Sequence, residues 1–246
     1  MTPLAYLEMA KTEANHWWYV GRRAILADLI KSLNLPINSK ILEVGCGTGG
    51  NLKMLSEFGE VSAFEMDSAA LAIATKKSNH FFDLRKGSCP YKIPNFEHNF
   101  DLICIFDVLE HIEEDLETLV VLRKLLTKNG RILITVPAYQ WLYGPHDVLL
   151  HHVRRYSKID LQKKIESAEL HAFKISHFNT ILFPIIAIVR LKDKLLGRGV
   201  SCTNAPPEFI NKIFICVFSA ERFILKYLNF IFGASLTCLL EIKNEK

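Results

Sequence analysis

The sequence predicts an α/β domain built around a mostly parallel sheet. Strand-like and helix-like segments alternate through most of the chain, the pattern of βαβ units. Asp101 to Phe106 is a nearly continuous apolar run, as suits a central strand covered on both faces. Lys40 to Val44 runs directly into closely spaced glycines and then a helical stretch, where backbone N–H groups are left free for a ligand.

The elements follow in order. Thr2-Pro3 opens a short helix, with proline tolerated at its first position. A second helix runs from about Trp18 to Leu33 and stops before Pro36. After the strand at 40–44, Asn51 to Phe58 is helical, with Leu52, Leu55 and Phe58 on one side. Val61 to Met66 is the second strand, Ala69 to Lys77 the next helix and Phe81 to Leu84 a weaker strand. The helix Leu116 to Leu126 is expected to end on Asn129-Gly130 as a C-cap pair, and Arg131 to Val136 is a strand stopped by Pro137. Ser157-Lys-Ile-Asp160 reads as a capping box for a helix reaching about Ala168, and Ala172 to Phe178 alternates as a strand. Two apolar helices, Thr180 to Leu196 and Pro207 to Phe232, flank a Gly/Ser/Asn/Pro loop, and Ser235 to Ile242 closes the chain as an extended run.

Composition narrows the function classes. A chain of 246 residues buries one substantial core and does not require two domains. Half of the residues are hydrophobic, which excludes disorder as the main state. The net charge of +4 is spread along the chain, against nucleic acid as the partner. Cys46, Cys89, Cys104, Cys202, Cys216 and Cys238 show no metal-ligand or redox spacing, so they are expected to be buried thiols in a reducing compartment. Met1 to Trp18 lacks the pattern of a signal peptide, and a cytoplasmic location is expected.

The stretch Ile41-Leu-Glu-Val-Gly45-Cys-Gly47-Thr-Gly49-Gly50 carries most of the functional information. Gly45-x-Gly47-x-x-Gly50 also fits a dinucleotide fingerprint, and Glu65 stands where a ribose-binding acid is expected in either case. Glu43 argues for the other choice. A carboxylate just before the loop repels a pyrophosphate but suits a sulfonium and an ammonium group. Asp107 and Glu110 add further acids at the tip of the next central strand.

Four segments then resemble class I S-adenosylmethionine-dependent methyltransferases: ILEVGCGTGGNL, VSAFEMDSAAL, FDLICIFDVLEHIEED and LLTKNGRILITVP, which together span Lys40 to Pro137 in family order. The resemblance implies a Rossmann-like, mostly parallel seven-stranded sheet with an antiparallel last strand, a helical insertion before that strand, and S-adenosyl-L-methionine as cofactor. It implies that Gly45, Gly47 and Gly49 contact the methionine part, with Glu43 and Cys46 in the same loop. Glu65 would take the ribose hydroxyls, Met66 would flank the adenine, and Phe106 and Asp107 would line the methyl-transfer mouth. Where the family commonly has Gly-Asp after the third strand, this chain has Gly87-Ser88-Cys89, leaving the adenine amino group to a hydroxyl or backbone acceptor of Ser88. An NAD(P)-dependent oxidoreductase and a non-catalytic S-adenosylmethionine-binding partner are the competing readings.

The flanks resemble a subgroup of these enzymes associated with cell-envelope glycan or glycolipid pathways. The resemblance rests on His16-Trp17-Trp18-Tyr19-Val-Gly-Arg22-Arg23, on Trp141-Leu-Tyr-Gly-Pro-His146-Asp147 with His151-His152-Val-Arg154-Arg155-Tyr156, and on Phe232-Gly-Ala-Ser-Leu236. Transfer to a hydroxyl needs a base, and His146, His151 and His152 follow the fifth strand on the edge where α/β sheets hold ligands. His111, Asp147, Arg154, Arg155 and Tyr156 are the acceptor-side candidates, with the arginines holding a carboxylate or phosphate. The alternative is that the arginines pair with acids to fix the loop. A metal held by His146, Asp147 and His152 is the lesser alternative, and no metal is expected. Trp17 and Trp18 are expected to form an aromatic lid over the cofactor, because adjacent residues cannot both face inward from one helix.

The domain plan is therefore an N-terminal helical lid at 1–38, the core at 39–178, an apolar cap at 179–234 and a final strand at 235–246. The segment 180–232 is too apolar for one buried stripe and too interrupted by charge to span a bilayer. A cap enclosing an apolar, small-molecule or lipid-linked acceptor is favoured. Peripheral membrane contact through the basic edge Arg190, Lys192, Lys194 and Arg198 comes next, and a homodimer face is the remaining option.

Overall fold

The computed structural model describes residues 3–196 and 206–243. Its elements are α1 (Pro3–Thr12), α2 (Trp17–Ser32), β1 (Lys40–Val44), α3 (Leu52–Leu55), β2 (Glu60–Glu65), α4 (Ser68–Lys77), β3 (Asp83–Lys86), β4 (Phe100–Phe106), α5 (Asp115–Lys124), β5 (Leu126–Pro137), α6 (Pro145–Leu149), α7 (Lys158–Ser167), β6 (Leu170–Phe178), α8 (Phe183–Leu196), α9 (Glu208–Leu225) and β7 (Ser235–Ile242). Arg198 and Cys202 lie outside the described residues.

All seven strands join one sheet in the order β3-β2-β1-β4-β5-β7-β6. Pairs β1–β2, β1–β4, β2–β3 and β4–β5 are parallel, while β7 runs antiparallel between β5 and β6. The expected Rossmann-like sheet with an antiparallel last strand is what forms.

Period-two alternation divides the central strands between two cores. Leu42, Val44, Ile103, Ile105, Ile132 and Ile134 pack with Leu119 and Leu122 of α5 and Leu161 and Ile165 of α7. Ile41, Leu102, Cys104 and Leu133 face the other way, against Ile25, Leu26 and Leu29 of α2 and Phe218 and Leu225 of α9. Helix α9 reaches α2 closely because position 21 is glycine: a Cβ there would come within 2.9 Å of Phe218 Cγ.

Several local expectations need correction. Asn129-Gly130 is not a helix cap, because α5 ends at Lys124 and β5 already begins at Leu126. The pairing of β4 and β5 slips between Phe100 and Leu102, and Gly130 sits at that irregularity, where a Cβ would meet Phe100 O at 2.8 Å. The 51–58 helix shrinks to α3, and the weak strand lies two residues later than expected. Helix α9 stops at Leu225, and Phe230 instead bridges to His177 of β6. Cys216 is exposed, not buried, since it lies on the outer side of α9. The Ser157 cap forms as expected, with its hydroxyl accepting from Asp160 N at 3.1 Å.

Candidate functional site

The connection after β1 runs to β2 on one side and the connection after β4 runs to β5 on the other, so the loops after β1 and β4 diverge at the carboxyl edge of the sheet. The turn after β1 holds Gly45, Gly47 and Gly49 at φ +67°, +54° and +79°, a left-handed region that side chains disfavour. Gly45 is also closely packed, since a Cβ there would stand 2.8 Å from Val108 Cγ2.

Two carboxylates bracket this turn. Glu43 is buried; its Oε1 accepts from Asn51 Nδ2 at 2.7 Å, and its Oε2 has no hydrogen-bond partner. Burial pushes its pKa up to about 7, against the lowering effect of Asn51. Glu65, at the end of β2, accepts from Gly47 N and from Asp67 N, both at 2.9 Å. Helix α1 lies over the turn: Met9 Cε would be 3.3 Å from a Cβ on Gly47, and the Glu13 carboxylate rests against Gly50 while pairing with Lys77.

A second polar group forms where β4 and β5 end. Asp107, at φ +54°, pairs with Arg22 of α2 and accepts from Thr135 Oγ1 at 3.1 Å. The next turn, Leu109–His111, places Glu110 fully buried with both carboxyl oxygens lacking a hydrogen bond. Burial, and then the charge of Asp107, push its pKa well above the usual carboxylate range.

The loop after β5 completes the group. Asp147 of α6 is buried and accepts from His152 Nδ1 at 2.8 Å, from Arg155 Nε at 2.8 Å and from Gly144 N at 3.0 Å. Burial alone would raise the Asp147 pKa, but the bonds from His152 and Arg155 outweigh it and hold it at about 2. With Nδ1 engaged, His152 presents Nε2 toward Glu110 Oε1, 3.9 Å away. The rings of His111 and His152 meet edge to face at 4.7 Å. One ligand atom each from Glu110, His111 and His152 lies within 4.8 Å of the others.

A model of the methyltransferase domain family matches residues 12–179, more than half of the chain. The chain belongs to the methyltransferase domain family. The mitochondrial ubiquinone biosynthesis O-methyltransferase of Schizosaccharomyces pombe is 27% identical over 146 residues, covering 52% of each protein. A methyltransferase of Staphylococcus carnosus is 31% identical over 117 residues, 44% of this chain and 52% of its own length. The chain thus spans about half the length of the curated relatives it matches. Among solved structures, a S-adenosylmethionine-dependent methyltransferase from Clostridium acetobutylicum superposes with a TM-score of 0.58 at 14% identity, covering 90% of this chain and 91% of that one. The [4+2]-cyclase SpnF superposes with a TM-score of 0.56 at 14% identity, over 89% and 80%. One fold therefore carries different chemistries, and activity has to be argued from the site.

In this methyltransferase-domain chain the two expected groups of residues are differently placed. Glu43, Gly45, Gly47, Gly49 and Glu65 converge on the turn after β1, with Cys46 buried behind it. Met66 is mostly exposed, Phe106 is buried in the α2-side core, and the Ser88 carbonyl is already used by Lys92 N at 2.9 Å. Asp107, His111, Asp147 and His152 come together, whereas His146 is buried within α6 and His151 is exposed at φ +59°.

The aromatic lid is not formed by Trp17 and Trp18. Trp17 meets Phe214 and Phe218, and Trp18 stacks on Phe218 and Phe178, so both tryptophans tie α2 to α9. Both can do so because α2 is covered on two flanks, by the sheet and by α9. The arginines mainly fix the loop: Arg154 pairs with Asp115 and Glu113, Arg155 with Asp147, and the Tyr156 hydroxyl donates to Asp115 at 2.8 Å. Helix α9 belongs to the layer against α2 and does not cap the site, while α8 packs near α6 and the Gln140–Leu142 turn. The sequence marks Glu110 only as one of the acids at the strand tip, and Arg22 only as part of a motif. Both stood in quoted motifs, but nothing in the order of residues shows that Glu110 is buried without a partner.

Proposed function

We propose that this chain transfers a methyl group from S-adenosyl-L-methionine to a hydroxyl of a lipid-linked acceptor at a membrane surface. The observation that carries the reading is the left-handed glycine turn between Glu43 and Glu65, opening beside the cluster of Asp107, Glu110, His111 and His152. The turn fits the cofactor chemically. Its glycines leave the backbone bare for close approach, and the free Oε2 of Glu43 supplies negative charge next to a cationic ligand. When bound, the cofactor supplies an electrophilic methyl on a sulfonium.

The protein's own residues would do the rest. Glu65, now held by two backbone N–H groups, would take the ribose diol, and Tyr6 and Met9 of α1, with Glu13 just after it, would cover the turn and exclude water. Burial, then the nearby charge of Glu65 and Asp67, pushes the Tyr6 pKa up to about 12, keeping that hydroxyl a donor there. The cluster around His152 would receive the acceptor hydroxyl and its proton, with Asp147 orienting the ring. The O-methyltransferase relative in Schizosaccharomyces pombe agrees with an oxygen acceptor.

A lipid-linked acceptor is supported by the outer faces of α8 and α9. Ile185, Ile188, Val189 and Leu195 are exposed on α8, and Phe209, Ile213 and Phe223 on α9, at helical spacing. Lys192, Lys194, Lys212 and Lys226 are exposed on or just after the same helices. Tyr143, Gly144, Pro145, Val148, Leu149 and Lys194 line a mainly apolar groove between α6 and α8, and the Tyr143 hydroxyl donates to the His152 carbonyl at 2.8 Å. No helix among the described residues is long and apolar enough to cross a membrane, so contact through these faces would be interfacial. The subgroup resemblance to cell-envelope glycan or glycolipid enzymes points the same way.

The test is incubation with S-adenosylmethionine labelled on its methyl group and a lipid extract of the native cells. Label entering the organic phase supports the reading. Label entering only small water-soluble products refutes the lipid-linked acceptor.

A further inference from the structure

Among the described residues, Glu110 is the fully buried carboxylate with neither oxygen hydrogen-bonded. A carboxyl sealed from water without a hydrogen bond is strongly unfavourable unless it is neutral or faces a cation. Its burial is complete, and neither oxygen has a partner. Arg22 and Arg155 act on it only as nearby charges. What stands in front of it are two imidazoles.

We propose that Glu110, His111 and His152 form a binding site for one divalent transition-metal ion of the zinc type. The inference goes beyond methyl transfer itself and rests on the acceptor-pocket reading only for its use in the reaction. Two imidazoles and one carboxylate are the donor set that borderline ions take, and three protein ligands leave a position open. Two atoms bonded to zinc at about 2.0–2.1 Å are at most about 4.2 Å apart. The 3.9 Å between His152 Nε2 and Glu110 Oε1 falls inside that span, and the 4.8 Å limit on the whole group requires only a small closing movement.

The surroundings suit His152 as a ligand and Asp147 as its support. Asp147 is not a ligand. It lies behind His152, holding Nδ1 at 2.8 Å and thereby fixing the ring with Nε2 toward the group, as second-shell carboxylates do for metal-bound imidazoles. Asp147 is itself anchored by Arg155 and Gly144, so the ring position is set before any ion arrives. His111 Nδ1 is 3.3 Å from the His151 carbonyl, which likewise leaves Nε2 as its outward donor. His146, the third member of the earlier set, is buried in α6 and takes no part. An ion at this place would sit next to Asp107 at the end of β4, where an acceptor oxygen could occupy the open position and become more acidic; with the ion bound His152 is a ligand and not a base, and the proton would pass to Asp107 or to water.

The experiment uses untagged protein stripped with a chelator and titrated with Zn²⁺ against a chromophoric competitor. One equivalent per chain is expected for the wild type. Glu110→Gln, which is close to isosteric and removes a buried charge, should lose that equivalent, and His111→Ala, at an exposed position, should lose it independently. Asp147→Asn should weaken binding by about 10–100-fold, and His151→Ala should leave it unchanged. S-Adenosylhomocysteine binding, measured on each variant, reports whether the fold persists. If wild type takes up no Zn²⁺ while binding S-adenosylhomocysteine, or if both Glu110→Gln and His111→Ala keep the wild-type affinity, the site is refuted. Zinc binding without any methyl transfer to lipid would defeat the proposed function alone.

Discussion

Asp147 Oδ1 and His152 Nδ1 are joined across five residues of chain by a 2.8 Å hydrogen bond inside a loop that follows β5. The pair sets the tautomer and direction of the one loop histidine that reaches the polar cluster. Asp147→Asn keeps the size but removes the charge that holds the ring. Turnover should fall by about 10–100-fold while cofactor affinity stays unchanged. Steady-state rates at saturating S-adenosylmethionine, alongside a titration of the cofactor, separate the two; an equal loss in both would mean that the loop has collapsed.

Glu65 should set cofactor affinity. Charge-assisted hydrogen bonds are worth about 1.5–3 kcal/mol each, so Glu65→Ala is expected to weaken S-adenosylmethionine binding at least about tenfold. In the unliganded protein Glu65 also fixes Gly47 N and Asp67 N. The same substitution removes those two bonds, so a lowered melting temperature is expected as well, and calorimetric titration well below the melt, where the variant is folded, is the decisive reading.

Glu43 makes binding depend on pH. Its pKa lies near 7, raised by burial above the usual carboxylate value, so the folded protein holds a proton there that the unfolded chain has lost. Stability from this group is complete at low pH and is lost as pH rises toward and through 7. Affinity for a cationic cofactor runs the opposite way, because only the ionised carboxylate attracts it. S-Adenosylmethionine should bind more tightly at pH 8 than at pH 6, and Glu43→Gln should flatten that dependence.

Phe218 joins the two tryptophans to the sheet through Phe178. Removing its fully buried ring should destabilise the protein by about 3–5 kcal/mol. Urea unfolding of Phe218→Ala should show a lower midpoint with an unchanged slope. An unaltered midpoint would place α9 outside the cooperative core.

Much of this arrangement was legible in the sequence, for identifiable reasons. The β1 and β7 boundaries and the Gly45–Gly49 turn follow from local patterns of apolar residues and glycines, which need no tertiary knowledge. What failed depended on neighbours distant in the chain. Asn129-Gly130 has the composition of a helix cap, but pairing with β4 draws it into a strand irregularity. Trp17 and Trp18 looked unable to share a covered face until α9, some 200 residues away, supplied the second flank. Glu110 looked like one acid among several, and its isolation is a property of burial alone. For Arg154 and Arg155 the sequence left open whether they hold an acceptor or pair with acids, and only the fold shows that Asp115 and Asp147 are their partners.

The central claim is that the turn after β1 holds S-adenosylmethionine, and calorimetric titration of wild type beside Gly47→Val tests it most directly. Gly47 sits at φ +54°, which valine resists, and a side chain there would occupy the space beneath Met9. The account predicts one cofactor per wild-type chain and no measurable binding by Gly47→Val, with the variant still folded by circular dichroism. Undiminished binding by the variant, or a folded wild type that takes up no cofactor, would contradict it.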